Sequence, residues 1–294
     1  MTGRSKGIAL TAAGAFMLTI DSLLLRLIGA DRWAVVFHRG WLTFVACTVV
    51  WLVMNRRSTM EDRAREVRAS WLTGCLYGAN SVLFVLAIQH TRVANVLFVA
   101  ATAPLHAAVL SHFVLRERLA PSLWAALCSA GVGVLLLLGS GIQSGEWVGN
   151  VLALGSSMLM GASLVTARRT RAGGLMVPML GGLLCALASA PLGLRFPFDP
   201  TRTVYLLLDG ALVLPLAFGL LMLGPRHLPA PQVGLFLLLE PVLGALWARL
   251  LLGEVPSGRV ILGGGVIITT LVAQNLYSLR RRDVAADAVV RTAS

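Results

Sequence analysis

Charged residues are scarce in this sequence. They make up 13% of its 294 residues, whereas soluble globular proteins carry roughly 25%. The four cysteines follow no CxxC or Cys/His spacing, so the sequence predicts neither a disulfide framework nor a metal site. Nucleotide-binding motifs are also absent, because the triple glycine at 263–265 lacks the Lys-Ser/Thr of a phosphate loop. We therefore predict no metal, no cofactor and no direct use of ATP.

Apolar residues are abundant instead. They form 57% of the chain, and the mean hydropathy is +0.80, which indicates a bilayer as the solvent. The formal charge of +12 would suit a nucleic-acid partner only if the basic residues shared one solvated face. They occur in short bursts between apolar segments, so we expect membrane lipids as neighbours and no nucleic acid.

Ten apolar runs are long enough to cross the membrane, which takes about 20 helical residues. They cover residues 8–28, 33–54, 70–89, 94–115, 121–140, 147–167, 175–194, 203–223, 231–252 and 257–279. We call them the first to tenth spans. The fold class predicted is an all-α membrane protein.

The arginines predict the orientation, because positively charged loops stay in the cytoplasm. Clusters such as Arg56-Arg57, Arg168-Arg169 and Arg280-Arg281-Arg282 all follow even-numbered spans, and the opposite connectors hold fewer basic residues. We therefore expect a multi-pass protein of the bacterial inner membrane, with both termini in the cytoplasm.

A repeat divides the chain into two halves. PLHAAVLSHFVLRE, which ends at Glu117, matches PVLGALWARLLLGE, which ends at Glu254; in each, a proline precedes a glutamate by the same interval. The start of the first half, from Gly7 to Arg26, similarly matches Gly149 to Arg168. We predict a first five-helix repeat at 1–145, a second at 146–282 and a cytoplasmic tail at 283–294.

Each repeat contains an odd number of spans, so the second repeat enters the membrane inverted relative to the first. Inverted-topology repeats are typical of secondary transporters, in which the two halves surround a site near the midplane and alternate its access. A channel would instead need a ring of repeated polar groups.

These motifs resemble the drug/metabolite transporter superfamily in its ten-span form with two EamA-type repeats. The matching features are the proline and the LRE or LGE ending of the fourth span in each half, the glycine-rich fifth span, and Arg39. The resemblance implies a cavity surrounded by spans one to four and six to nine, with spans five and ten outside. Similar bacterial members export amino acids, including aromatic ones and threonine or homoserine. Asp21 departs from the pattern, and Arg39 has no basic counterpart at Gly181.

Glu240 is the deepest isolated acid. It lies about 13 Å from the start of the ninth span at 1.5 Å per residue, and Pro241 after it removes a backbone hydrogen bond. Such a carboxylate can meet a substrate amine or carry a proton, which would couple transport to protons. A buried glutamate in a structural hydrogen bond is the alternative.

Asp21 and Arg39 lie at similar depth on the first two spans, which form an antiparallel hairpin. We predict an ion pair with a structural or a gating role.

Seven further side chains at middle depth are candidates for a substrate cavity, although each can equally be a hydrogen bond between helices. They are Tyr77, Asn80, Thr102, His106, Ser163, Gln232 and Trp247. His106 and His112 are six residues apart and do not match the spacing of a zinc helix.

The sequence therefore predicts a secondary transporter of a small molecule, with amino acids, aromatic ones included, as substrates and export as direction. An intramembrane enzyme acting on a lipid or peptide is one alternative, although no nucleophile and base converge in the sequence. A transporter of another metabolite or drug class is the other, and the oligomeric state stays open.

Overall fold

Helices form almost all of the structure, a computed structural model that describes residues 3–29, 31–56, 59–116, 121–144, 146–170, 174–194, 199–223 and 236–293. No strand occurs in these ranges. The helices are Gly3–Ile28, Arg32–Met54, Met60–His90, Val93–Ala100, Ala103–Val114, Pro121–Ser144, Trp147–Thr170, Met176–Gly193, Pro200–Leu207, Leu214–Leu223, Leu239–Leu252 and Gly258–Ala293, with a π-helical segment at Leu208–Val213. Gln232 and Glu117 lie outside the described residues.

The membrane-crossing helices agree with the predicted spans. In the described part of the chain, nine helical stretches are long and apolar enough to cross a bilayer. The ninth predicted span is described from residue 236, and its helix Leu239–Leu252 has 14 residues. The all-helical fold with ten spans is therefore confirmed.

The helices of the third and the tenth spans extend furthest beyond their predicted bounds. The third begins at Met60, ten residues early, because Thr59 caps it: the Thr59 hydroxyl accepts from the backbone N–H of Asp62 at 3.2 Å. Glu61 and Asp62 in the first turn suit the positive end of the helix dipole. The tenth runs on to Ala293, through residues predicted as a tail.

The fourth span is broken in its middle. Its first helix ends at Ala100, a turn follows at Ala101 and Thr102, and a second helix starts at Ala103. Pro104 has no N–H to continue the first helix, and the Thr102 hydroxyl instead donates to the Val99 carbonyl at 2.6 Å.

The ninth span contains a similar break. A turn at Leu238 precedes the helix Leu239–Leu252, and Pro241 occupies the repeat position of Pro104. Because both breaks precede the same repeat proline, each half presents a helix N-terminus near the middle of its span.

The two repeats meet closely at a pair of equivalent glycines. A Cβ added to Gly40 of the second span would lie 2.7 Å from the Gly182 carbonyl oxygen in the seventh span, and one added to Gly182 would lie 2.6 Å from the Gly40 oxygen. The residues are related by the same offset as Gly7 and Gly149, so their reciprocal contact lies on the pseudo-twofold axis between the halves. The inverted repeat is thus a feature of the packing as well as of the sequence.

Spans five and ten, which the family resemblance places outside the cavity, pack mainly against each other. Gly133 and Gly263 bring their backbones together: a Cβ on either would lie 2.7 Å from the carbonyl oxygen of the other. The Ser129 and Thr270 hydroxyls hydrogen-bond across the same interface at 2.7 Å. These two spans therefore form a pair, and their buried residues share one hydrophobic core with the other spans.

Candidate functional site

Three charged side chains from three spans meet inside the helix bundle. Arg39 Nη2 donates to Asp21 Oδ1 at 2.6 Å, and Arg39 Nε donates to Asp209 Oδ2 at 2.8 Å. All three residues are at most 5% exposed. We call Asp21, Arg39 and Asp209 the buried triad. The structure thus joins the predicted partners Asp21 and Arg39, and adds a second acid, Asp209 of the eighth span.

The triad occupies most of the guanidinium group. The third nitrogen, Nη1, donates to the Ser81 hydroxyl at 2.8 Å. Each of the three Arg39 nitrogens therefore has a partner, and a substrate carboxylate would have to share the guanidinium group with these side chains.

Asp209 is positioned by an irregular turn of the eighth span. It is the second residue of the π-helical segment Leu208–Val213, a widened turn that is often found at functional sites. Gly210 next to it brings the backbone against Arg39, because a Cβ there would lie 3.1 Å from the Arg39 carbonyl oxygen. The Thr43 hydroxyl donates to the Gly210 carbonyl at 3.1 Å and fixes the turn to the second span.

Glu240 lies beside the triad on the broken ninth span. It is in the first turn of the helix Leu239–Leu252, is half-buried, and interacts electrostatically with Asp21 and Arg39. The hydrogen bonds within the described part of the chain leave its carboxylate unengaged. The Glu240 carboxylate is thus available to a ligand, whereas the charged groups of the neighbouring buried triad bind one another.

Tyr77 also belongs to the surroundings of the triad. It is 8% exposed, interacts electrostatically with Arg39, and packs edge-on against Phe218 with ring centroids 5.4 Å apart. Trp247, another predicted cavity residue, donates from Nε1 to the Thr19 hydroxyl at 3.2 Å. It therefore joins the ninth span to the first.

The remaining polar candidates form bonds with the sixth span. Ser156 donates to Asn80 at 2.7 Å, and Ser157 contacts both Thr102 and His106 at 3.0 Å. Ser163 donates to the Thr73 carbonyl at 3.3 Å. A cavity of about 300 Å³ beside Thr102 and His106 is lined otherwise by apolar residues of spans four to six. These predicted site residues therefore lie in a second group, along the sixth span.

One end of the bundle is held by a different set of charges. Glu254 pairs through Oε1 with Arg26 Nε at 3.0 Å, and its Oε2 accepts from the backbone N–H of Val93 at 2.9 Å. Val93 is the first residue of its helix, where N–H groups lack intrahelical partners and a negative charge is favourable. We call Arg26, Val93 and Glu254 the end clamp. It joins the first, fourth and ninth spans.

A second ion pair extends this clamp. Arg92 Nε lies 3.2 Å from Glu146 Oε1, and Arg92 Nη1 donates to the Val255 carbonyl at 2.7 Å. Asn95 Nδ2 donates to Glu146 at 3.3 Å. Through Glu146 the sixth span is tied to the same end, so that spans from both repeats are fastened together there.

The sequence reading missed the end clamp and the role of Asp209. In the sequence, Glu254 is identified only as the last residue of the repeated motif. The available signal was that Glu254 occupies the repeat position of Glu117. Its partners Arg26 and Val93 become apparent only when the spans are packed. In the described ranges, no cluster of three or more His, Cys, Asp or Glu side chains could hold a metal ion.

Comparison with known proteins identifies relatives that cover most of the chain. The model of the EamA-like transporter family matches residues 5–139 and again residues 147–275. The threonine/homoserine exporter RhtA of Escherichia coli K12 is 26% identical over 223 residues, which cover 72% of this chain and 73% of that protein. The same exporter from Escherichia coli O157:H7 gives the same values. A solved crystal structure with 19% identity aligns with a TM-score of 0.63 over 92% of this chain and 97% of its own, which shows a shared fold.

Proposed function

Because the chain belongs to the EamA-like transporter family, we propose that it is a secondary transporter that exports amino acids by alternating access. The observation that carries the proposal is Glu240, an unengaged carboxylate at the start of a broken helix beside the buried triad. A carboxylate in this position suits the ammonium group of an amino acid.

The other end of an amino acid needs a partner of opposite charge. Arg39 is already occupied by Asp21, Asp209 and Ser81. The second helix of the fourth span begins at Ala103. The N–H groups of Leu105 and His106 bond to the Thr102 carbonyl, and the dipole of this helix places partial positive charge at its N-terminus in the middle of the membrane. We assign the substrate carboxylate to this helix end and the ammonium group to Glu240.

The substrate class rests on chemistry and on similarity together. An amino-acid zwitterion requires one acid and one source of positive charge. We assign these roles to Glu240 of the ninth span and to the helix N-terminus at Ala103 of the fourth span. The name of the exporter RhtA, to which this chain is similar, gives threonine and homoserine as that protein's substrates. We therefore propose small amino acids as substrates and include aromatic amino acids in the test.

The proposed setting is the bacterial inner membrane, with both termini in the cytoplasm. The arginine clusters of the even-numbered connectors and the even number of spans support this orientation. We propose the same division of the chain as the sequence did, with repeats at 1–145 and 146–282 and a tail at 283–294. The two family matches and the Gly40–Gly182 contact support it.

Proteoliposomes that contain the purified protein and unlabelled threonine test the proposal. We expect saturable uptake of labelled threonine by counterflow, and about a tenfold loss in the Glu240→Gln variant, since an amide cannot neutralise an ammonium group. Glu61→Gln, which changes an exposed glutamate, is the matched control and should transport like the wild type.

The same vesicles distinguish the alternatives. Counterflow of phenylalanine or tyrosine but not threonine would indicate that the amino acids transported are aromatic ones. Flux that is equal in the Glu240→Gln variant and the wild type would refute the role of Glu240. Absence of counterflow for every amino acid in the folded wild-type protein would refute the substrate class.

Alternating access also gives the end clamp a function, since transport requires this end to open. Ser22 lies one helical turn inside Arg26, is fully buried, and faces Gly244 of the ninth span. In a background without the four native cysteines, we expect Ser22→Cys to react about tenfold faster with a membrane-impermeant maleimide when Glu254→Gln breaks the clamp. The physical reason is that glutamine loses the ion pair with Arg26 and the charge at the helix N-terminus.

The control for this experiment is Arg202→Gln. It breaks the exposed ion pair of Arg202 with Asp199 at the same end, whose atoms are 3.4 Å apart. Exposed pairs contribute little, so the labelling rate should stay near that of the parent. Equal rates in the Glu254→Gln variant and its parent would contradict the gating role of the clamp.

A further inference from the structure

The two acids of the buried triad bind the same edge of Arg39. The Nε and Nη2 atoms normally form a fork that one carboxylate fills with both of its oxygens. Here Nη2 binds Asp21 at 2.6 Å and Nε binds Asp209 at 2.8 Å. Because adjacent guanidinium nitrogens are close together, the two carboxyl groups are forced side by side, within hydrogen-bonding reach of each other.

The charges of the triad do not balance. Two carboxylates face one guanidinium, and the three residues are 0–5% exposed, so water cannot compensate the excess negative charge. Asp209 Oδ1 is fully buried and has no hydrogen-bond donor among the described residues. An acceptor with no donor, beside a second carboxylate, is the arrangement in which two acids share one proton.

We propose that Asp21 and Asp209 bind one proton between them, held on Asp209 Oδ1 and donated to Asp21, and that the transporter exchanges this proton for its substrate. The proton neutralises the triad while it is bound. The exchange depends on the proposed transport function, whereas the proton site itself does not.

The neighbouring charged and titratable groups explain how substrate and proton would compete. Arg39 of the second span, Tyr77 of the third, Cys185 of the seventh and Glu240 of the ninth surround the pair. Ionised Glu240 adds negative charge near Asp21 and favours the proton. When a substrate ammonium neutralises Glu240, this support is lost and the proton is more easily released. By linkage, binding of the proton weakens binding of the ammonium group equally.

The proton site can be detected without any substrate. We expect infrared spectra of the purified protein at neutral pH to show the carbonyl band of a protonated carboxylic acid, and carbon-13 labelling of aspartate alone to shift it. Aspartate labelling excludes Glu240, and exposed aspartates are ionised at this pH. The band should vanish in Asp209→Asn and in Asp21→Asn and persist in Asp199→Asn. Absence of a shifted band in the wild type, or its removal by sodium ions, would overturn the proposal.

Exchange is tested by comparing two modes of transport in proteoliposomes. Threonine counterflow needs no net movement of protons, whereas accumulation against a gradient needs a pH difference. In Asp209→Asn the amide keeps an acceptor for Arg39 Nε and copies the charge of the protonated pair. Because that charge weakens ammonium binding, we expect counterflow to persist at saturating threonine but with a several-fold higher half-saturating concentration, and pH-driven accumulation to fall at least about tenfold.

The outcomes separate the two proposals. If the wild type shows no counterflow, the transport function fails, and the infrared result still decides the proton site. If both modes survive unchanged in Asp209→Asn while Asp199→Asn also behaves normally, the exchange of this proton is refuted.

Discussion

Replacing Arg39 with glutamine is expected to cost the folded state about 3 to 5 kcal/mol, because two carboxyl groups lose their shared cation inside the bundle. Arg39 binds Asp21 and Asp209 at 2.6 and 2.8 Å in surroundings that are almost fully buried. The measurement is the yield of monodisperse protein after gel filtration in detergent, together with the midpoint of its thermal unfolding.

A triple variant distinguishes the effect of unbalanced charge in the buried triad from the effect of losing the Arg39 side chain. Asp21→Asn, Arg39→Gln and Asp209→Asn together leave no charge in the triad, and buried ionic groups can often be replaced by neutral ones without loss of stability. We expect the triple variant to regain most of the stability and to remain inactive in pH-driven transport. If the Arg39→Gln variant unfolds at the temperature of the wild type, the triad does not hold the three spans together.

Substituting leucine for Gly182 is the second change with a large expected effect. A Cβ at this position would lie 2.6 Å from the Gly40 carbonyl oxygen and 3.0 Å from the Phe44 backbone nitrogen. These are backbone atoms and cannot rotate away, so the second and seventh spans would have to separate. Overpacking of this kind costs about 1 to 3 kcal/mol or more, and it would also displace Arg39, the neighbour of Gly40.

Gly265 provides the matched control for this substitution. It also lies in a membrane helix, but it is exposed, and a Cβ there would meet nothing within 4 Å. Gly265→Leu should leave the yield and the unfolding midpoint close to those of the wild type. Equal behaviour of the two leucine variants would show that the contact between the repeats tolerates a side chain.

The sequence was sufficient to predict the fold because each step depended on local properties. Apolar length defines a span, an odd number of spans per repeat defines the inversion, and proline marks the broken helices. Depth along a helix also follows from residue number, which is why Asp21 and Arg39 could be paired across a short hairpin.

Contacts between distant spans could not be predicted in this way. Asp209 is 170 residues from Arg39, and only helix packing brings them together. Rotation about the helix axis is similarly invisible in a single sequence. Asn80, Thr102 and His106 have the depth of a midplane site, yet their side chains are oriented toward serines of the sixth span. The cavity assignment of these residues stays a prediction, and the π-helical turn at Asp209 has no simple propensity signal.

The sequence separation within the triad has a consequence for how the protein enters the membrane. Asp21 and Arg39 are 18 residues apart, so the first hairpin can leave the insertion machinery with its two charges already paired. Asp209 is synthesised much later and must enter the lipid before it can reach Arg39, at the usual cost of about 2.5 to 3.5 kcal/mol for a charge in the bilayer centre. The first half therefore already contains the paired Asp21 and Arg39 to which Asp209 of the eighth span binds. Assembly during biosynthesis is expected to proceed from the amino-terminal half onward.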